Sequence, residues 1–215
     1  MSNKIEIGID IGGTFTDIFI KDSKTNTWIV NKVPSTPPNF STGFMNGVDQ
    51  TLIMANRNTD DIERIIHGTT VATNAALEGK GVRTAYITNT GLADVLAIGR
   101  QTREELYNLT PDLPKVRFDP SLNLEVDVRL DAKGEVVTPL TPAALKQLER
   151  DVKSLKPEAI AINLLFSYLD PADEMTIEAL FQEHFFVSRS SFVLPEINEY
   201  ERGISTWVNS WIGPL

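Results

Sequence analysis

The chain is 215 residues long, 41% hydrophobic, and carries a formal net charge of −9 at pH 7. That length can bury a sizeable core as one domain or two small lobes, and the acidic balance with dispersed basic residues argues against a nucleic-acid surface. The absence of cysteine excludes disulfides, thiolate nucleophiles and zinc–sulfur sites; the start MSNKIEIGID has no apolar signal core and no run approaches the roughly eighteen apolar residues of a membrane helix, so the expected location is the cytoplasm.

The stretch from Ile5 to Asp17, IEIGIDIGGTFTD, joins a strand pattern to a glycine turn. Ile5, Ile7 and Ile9 alternate with Glu6 and Gly8, after which Asp10, Gly12, Gly13, Thr14, Thr16 and Asp17 crowd together, an order that predicts strand, tight turn, strand. Two uses suit those residues. A Gly-Gly pair between alternating apolar runs makes an ordinary hairpin turn. Glycines also let backbone N–H groups approach a phosphate, threonine hydroxyls add hydrogen bonds, and a strand-end aspartate such as Asp10 can hold Mg²⁺ through water. A nucleotide is the first candidate ligand.

TWIVNKV at 27–33 predicts a third strand, closed by Pro34, Pro37 and Pro38. Phe44, Val48, Leu52 and Ala55 then share a helical face. Next come a short strand ERIIHG, a helix through Ala72 to Leu77, and a strand RTAYIT, with Gly79 and Gly81 as the intervening stop. This alternation is α/β in kind. Around its strand-to-helix junction stand His67, Thr69, Thr70, Thr73 and Asn74. Free N–H groups there favour an anion or a polarised carbonyl. The same threonines equally serve as helix caps, and His67 suits packing as well as chemistry. Arg100 and Arg103 in GRQTREEL suit a clamp on a carboxylate, phosphate or bicarbonate, or a surface pairing with Glu104 or Glu105.

From Thr110 to Pro142 the proline-punctuated chain reads as an irregular excursion with a hairpin, LEVDVRL followed by the turn DAKGE at 131–135. Thr141 and Pro142 supply a cap and first-turn proline for a helix with the stripe Leu145, Leu148, Val152 and Leu155. EAIAINLLF predicts a strand covered on both faces. Asp170 and Pro171 open another helix, with Ile177, Leu180 and Phe181 inward and a structural His184, before the strand-like FFVSRSSFV; together these form a second βαβ-like unit. From Glu196, the residues Ile197, Tyr200, Ile204, Trp207, Val208 and Trp211 fall at helical spacing and predict a core or interlobe face. On that helix Glu199, Glu201 and Arg202 are expected on an exposed face, with Glu199 and Arg202 spaced as i,i+3 partners. Gly-Gly occurs once, so no second phosphate loop is visible.

DIGGTFTD resembles the first phosphate motif of the actin, sugar kinase and heat-shock ATPase superfamily, and its TFTD ending is more similar to the hydantoinase/oxoprolinase family, on its hydantoinase A side. The block IIHGTTVATNAALEGKGVRTAYITNTGLADVLAIGRQTREELYNL, from Ile65 to Leu109, resembles that family's signature region, and VLPEINEYERGISTWVNSWIGPL resembles the segment leading into the family's second half. The resemblance implies an α/β protein with a ribonuclease H-like N-terminal lobe of mixed sheet (1–110), an α/β excursion (111–195) and a helix leading into a further lobe (196–215). The chain would then be an N-terminal fragment, with the second phosphate loop and adenosine pocket on the other lobe.

The implied activity is that of an ATP-dependent amidohydrolase, in which phosphorylation of a cyclic amide oxygen activates the ring carbonyl and water opens the ring. Within the family the alternative is an ATP-dependent ketone carboxylase subunit. From another class it is a non-catalytic nucleotide-binding module. Gly12, Gly13 and Thr14 would contact the β- and γ-phosphates of ATP, Thr16 would add a hydroxyl, Asp10 would orient Mg²⁺, and Asp17 would brace the turn. Asp10 and His67 become the catalytic candidates, with His67, Thr69, Thr70 and Arg100 toward substrate. A hydantoinase B-type subunit or domain is the implied partner, and a homo-oligomer is compatible with this organisation. Phe166 in LLFSY and Phe192 in SSFVLPE depart from the pattern the resemblance leads one to expect, a histidine and an acidic residue.

Overall fold

Isoleucines at alternate positions bury one face of strand β1 (Ile5–Ile11) and leave the other to Glu6, Gly8 and Asp10. The chain, described here by a computed structural model at residues 4–37, 39–100, 102, 107, 109–110 and 118–215, divides into two compact units, Met1–Glu78 and Gly79–Leu215. In the first, β2 (Phe15–Asp22) pairs antiparallel with β1, β3 (Thr27–Pro34) antiparallel with β2, and β4 (Ile62–Thr69) parallel with β1, giving the mixed order β3-β2-β1-β4. Helix α1 (Phe40–Met54) starts at Asn39, whose side chain accepts the Ser41 N–H. It lays Val48 and Leu52 on Ile5, Ile7, Ile9, Ile18, Ile20 and Val33. Gly47 sets how closely α1 approaches: a Cβ there would lie 2.6 Å from Ile18 Cδ1 and 2.9 Å from Val33 Cγ2. The opposite sheet face leaves Phe15, Phe19, Trp28, Val30 and Ile66 exposed. Helix α2 (Val71–Glu78) closes the unit.

The second unit contains β5 (Thr84–Asn89), α3 (Val95–Ile98), β6 (Asn123–Val126), the β7 (Arg129–Leu130) and β8 (Val136–Thr138) hairpin, α4 (Pro142–Leu155), β9 (Ala159–Asn163), α5 (Ala172–Phe181), β10 (Phe186–Arg189), α6 (Ser190–Val193) and α7 (Glu199–Ile212). Its main sheet is parallel throughout, in the order β10-β9-β5-β6. Helices α4 and α5 cover one face through Leu148, Val152, Ile177 and Phe181, and α7 covers the other through Trp207 and Trp211. β5 and β9 are therefore buried on both faces. Thr141 caps α4 by accepting the Ala144 N–H at 3.1 Å, and Asp131 folds the DAKGE turn, with Gly134 at φ +82°. Among the described residues no helix is long and apolar enough to cross a membrane.

Several expectations are corrected. The boundary lies after Glu78 rather than near 110, because RTAYIT joins the second sheet between β9 and β6. The strand expected through FFVSRSSFV ends at Arg189: the Glu174 carboxylate takes the Ser190 hydroxyl at 2.6 Å and the Ser191 N–H at 2.8 Å, and the chain turns into α6. His184 lies beyond α5 in an exposed turn rather than in a helix. Helix α7 buries Arg202, Gly203, Thr206, Trp207, Ser210 and Trp211, so its face is rotated from the apolar stripe, and Ile204, Val208 and Ile212 line a shallow apolar groove with Val193. Small residues cause the rotation, since a Cβ on Gly203 would come within 2.8 Å of Asn163 Nδ2 and 2.9 Å of Tyr86 Oη.

Arg202, expected at an exposed surface, is fully buried. Its guanidinium donates to Leu164 O at 2.7 Å, Glu196 O at 2.9 Å, Ser190 Oγ at 3.0 Å and Asn163 Oδ1 at 3.2 Å, and to the Glu199 carboxylate. Each of the three guanidinium nitrogens finds an acceptor, which a buried charge requires. Burial pushes the Glu199 carboxyl up to about 7 against the pull of Arg202, with Glu174 pushing further and Arg129 opposing.

Replacing Arg202 by alanine leaves Glu199 without its cation and the Arg202 acceptors unpaired, and is expected to lower the unfolding free energy by about 3–5 kcal/mol in urea titrations. Gly47→Val, which crowds Ile18 and Val33, should cost about 1–3 kcal/mol. The Glu199 carboxyl is raised from 4.5 to about 7 on folding, so the native state holds the extra proton between those values. Its stabilising contribution is complete below pH 4.5 and is lost as pH rises through 7. Measured against Glu199→Gln, the chain should lose about 3 kcal/mol across that window, and parallel stability curves would contradict the assignment.

Candidate functional site

Three strands of the first unit run the same way, so β1, β3 and β4 bring their carboxyl ends to one sheet edge. The β1–β2 turn lies there. Gly12 N–H donates to Phe15 O at 2.9 Å, leaving Gly13 and Thr14 as the exposed residues of a two-residue loop. In a closed hairpin of this size Phe15 N–H would return to Gly12 O. Instead, Gly12 O accepts the Ser35 hydroxyl at 2.7 Å, and Thr14 O accepts the Ser35 N–H at 2.9 Å. Among the described residues the N–H groups of Gly13 and Thr14 meet no acceptor.

Neither glycine has positive φ. Type I′ and II′ hairpins recruit glycine for positive φ, so turn conformation does not account for the pair. Gly12 is required sterically, as a Cβ would lie 3.0 Å from Phe15 O, whereas a Cβ on Gly13 would meet only Asn74 Nδ2 at 3.8 Å. The space beside Gly13 is left open by the protein itself.

Asp10 is exposed on the face opposite α1, directly across from Asp17 on β2 and Gly68 on β4. Asp17 is held by Lys32 at 2.9 Å, while among the described residues Asp10 has no cationic partner. Like charges facing each other across strands favour a cation between them. The described residues contain no group of three or more metal-ligating side chains. A divalent ion at Asp10 would thus complete its shell with ligand oxygens and water, which suits Mg²⁺.

The structure redistributes the other expected site residues. Thr16 is fully buried, with its hydroxyl 3.0 Å from Ser35 Oγ, so it braces the turn instead of facing a ligand. His67 pairs in register with Ile9 and shares its face, edge-on to Phe44 of α1 with ring centroids 6.2 Å apart. Strand pleating therefore puts His67 and Asp10 on opposite sides of the sheet, and the expected catalytic pair is not brought together. Thr69 donates to Ile11 O at 3.1 Å and accepts the Val71 N–H at 3.2 Å, acting as a cap for α2. Thr70 stands immediately before α2 and Asn74 on its first turn, joined by a 3.4 Å bond from Asn74 Nδ2 to Thr70 Oγ1, and Asn74 borders Gly13.

Arg100 belongs to the second unit, where its Nε binds Glu201 Oε1 at 2.6 Å; Arg103, Glu104 and Glu105 lie outside the described residues. The hydrogen bond from Arg100 holds the Glu201 carboxyl below the usual carboxylate range. Phe166 follows β9 at φ +61°, and Phe192 follows β10, 75% exposed with the Arg189 guanidinium 5.3 Å from its ring. Both departures from the family pattern thus occur beyond the carboxyl ends of neighbouring parallel strands. Ser35 carried no sequence signal beyond its place after a strand, and Asn74 was visible only as part of a polar cluster.

Comparison with known proteins agrees with this architecture. An uncharacterized protein of Methanocaldococcus jannaschii is 35% identical over 97% of this chain and 31% of its own length. 5-oxoprolinase 1 of Arabidopsis thaliana is 30% identical over the whole chain and 19% of its own length, and the acetophenone carboxylase gamma subunit of Aromatoleum aromaticum 30% identical over 96% and 31%. Among solved structures, the ATP-dependent caprolactamase of Pseudomonas jessenii aligns over 97% of the chain and 31% of its own with TM-score 0.78 and 29% identity. Nucleotide-free acetone carboxylase shares the fold, with TM-score 0.84 over 98% and 32% at 24% identity. The chain spans about a third or less of the length of these proteins. The family model for the hydantoinase/oxoprolinase N-terminal region matches residues 6–185, and the chain belongs to that family.

Proposed function

We propose that this chain is the phosphate-gripping part of an ATP-dependent enzyme that phosphorylates the oxygen of a cyclic amide and so opens the ring. The observation that carries this reading is the β1–β2 turn: two N–H donors without acceptors, beside a glycine pair that turn conformation does not require. The names of related proteins, 5-oxoprolinase and ATP-dependent caprolactamase, support the reaction class. The order β3-β2-β1-β4, antiparallel except for β4, supports a ribonuclease H-like first unit.

In this reading Gly13 and Thr14 would give their N–H groups to the β- and γ-phosphates, and Asp10 would hold Mg²⁺. The ion supplies charge neutralisation on the phosphates. Phosphoryl transfer asks the protein mainly for positioning and electrostatic stabilisation, so no protein nucleophile is needed. A resonance-stabilised amide becomes a far better electrophile once its oxygen carries the phosphoryl group: water adds to the ring carbon, the C–N bond breaks with the nitrogen leaving as the amine, and a second water releases phosphate from the resulting acyl phosphate to leave the carboxylate. Thr70 and Asn74, bordering the turn, are the groups assigned to the ring. A neighbouring domain or protein chain supplies the remaining nucleotide contacts; the word subunit in the relatives' names supports such an assembly.

Similarity to the acetophenone carboxylase gamma subunit favours a second reading, in which the same turn serves a ketone carboxylase. Phosphate release from ATP by the full-length protein separates them: stimulation by a hydantoin, 5-oxoproline or a lactam identifies the amidohydrolase, stimulation by ketone plus bicarbonate the carboxylase. Nucleotide binding without either stimulation would indicate a non-catalytic module.

Gly13→Ala should leave stability within about 1 kcal/mol, since its φ is not positive and the added methyl finds space. It should nevertheless raise the KM for ATP about tenfold or more, because the methyl occupies the phosphate's side of the turn. An unchanged KM would remove phosphate from this position. Asp10→Asn should lower ATP-dependent turnover about a hundredfold with a normal melting temperature.

A further inference from the structure

We propose that Ser35 is a positioning residue for the phosphate turn, holding two of its carbonyls on one side so that the Gly13 N–H stays aimed at the ligand; this rests on the turn's binding nucleotide phosphate. In a planar trans peptide the C=O and the following N–H point in opposite directions. Gly12 C=O and Gly13 N–H belong to one such plane, and Thr14 C=O and Phe15 N–H to another. Ser35 captures both carbonyls, Gly12 O through its hydroxyl at 2.7 Å and Thr14 O through its N–H at 2.9 Å. The Gly13 N–H is thereby turned away from Ser35. The hydroxyl has one proton, already given to Gly12 O, so Thr16 donates to Ser35 Oγ across 3.0 Å, and its own position is fixed by complete burial.

The clamp is anchored on both sides. Pro34 ends β3 immediately before it, and Thr36 immediately after accepts the Gly43 N–H of α1 at 2.8 Å and donates to Asn39 O at 2.6 Å. Ser35 is thus held between the sheet and the start of α1. Without its hydroxyl, Gly12 O would be free to accept Phe15 N–H and close the hairpin, rotating the Gly12–Gly13 peptide and misaiming the Gly13 N–H.

The test uses the full-length protein with Ser35→Ala, Ser35→Thr and Ser35→Cys, reading ATP KM, the KM of the ring substrate, melting temperature, and hydrogen–deuterium exchange of the peptide spanning Gly12 to Thr16. Ser35→Ala is expected to raise the ATP KM about tenfold and speed exchange across the turn, with the ring-substrate KM unchanged. Ser35→Thr, which keeps hydroxyl and amide, should restore both readouts. If Ser35→Ala fails to fold, Ser35→Cys, whose thiol is a weaker donor, should show the same pattern in milder form. Unaltered exchange in Ser35→Ala, or an ATP KM within twofold of wild type in a protein that turns over ATP, overturns the proposal. Should wild type neither bind nor turn over ATP, the functional reading falls, and exchange alone decides whether Ser35 shapes the turn.

Discussion

The two ends of a peptide plane cannot be aimed independently, and the first unit depends on that constraint. Whichever neighbour holds the carbonyls of the β1–β2 turn decides where its N–H groups point. The sheet supplies the neighbour by topology. Because β2 runs against both β1 and β3 while β4 runs with β1, the segments following β1, β3 and β4 meet at one edge. The turn follows β1, Ser35 follows β3, and the Thr69–Thr70 junction follows β4. Strand ends of common direction gather loop chemistry in open α/β sheets generally, and here they gather donors. Apolar burial under α1 fixes the register, since slipping β1 by one residue would exchange its isoleucines for Glu6, Gly8 and Asp10.

The second unit solves a different problem. Its parallel sheet is buried on both faces, so the chain leaving β9 must return to α7 with its polar groups satisfied. Arg202 and Glu174 meet that need, binding the carbonyls, amides and hydroxyls of the segments between β9 and α7. A buried cation with several acceptors contributes less net stability than its bond count suggests, since desolvation opposes the Coulombic gain, but removing it strands the Glu199 carboxylate and the carbonyls it holds. Its effect is to fix the path of the segments after β9 and β10. Close approach of α7 follows from Gly203, Thr206 and Ser210, which let the helix settle on Tyr86 and Asn163.

Much of this was legible in the sequence where the signal is local. Alternation marked β1 to β3, the Thr141-Pro142 pair marked the start of α4, and the unbroken apolar run marked β9. Asp10 and the Gly12–Thr14 turn were visible because strand pattern and glycines adjoin in sequence. What could not be read depended on partners distant in sequence. His67 was assigned to the same site as Asp10, but its face is decided by the β1–β4 register, where a single-residue shift reverses every side chain. Ser35 acts across a separation of 23 residues through a hydroxyl that no periodicity reveals. On α7 the apolar stripe marked the core side, where Trp207 and Trp211 are buried and Tyr200, Ile204 and Val208 pack against them, but not the small residues that govern how closely a helix can approach, nor the burial of Arg202.

The same distinction between frame and presented chemistry bears on Phe166 and Phe192. A bulky residue at φ +61° is strained by roughly 1–2 kcal/mol, so surrounding structure must hold Phe166 in place. Ser167 N–H donates to Leu164 O, Leu169 N–H donates to Phe166 O, and Leu164 itself is held by Glu174 and Arg202. All of these bonds involve backbone at 164–169 and none uses the side chain at 166. The backbone bonds of the loop thus do not use the side chain it displays, an aromatic ring with no proton to give or take, edge-on to Tyr168. At Phe192 the Arg189 guanidinium lies over the ring. What this sheet edge displays can thus vary while the buried hub keeps the backbone in place.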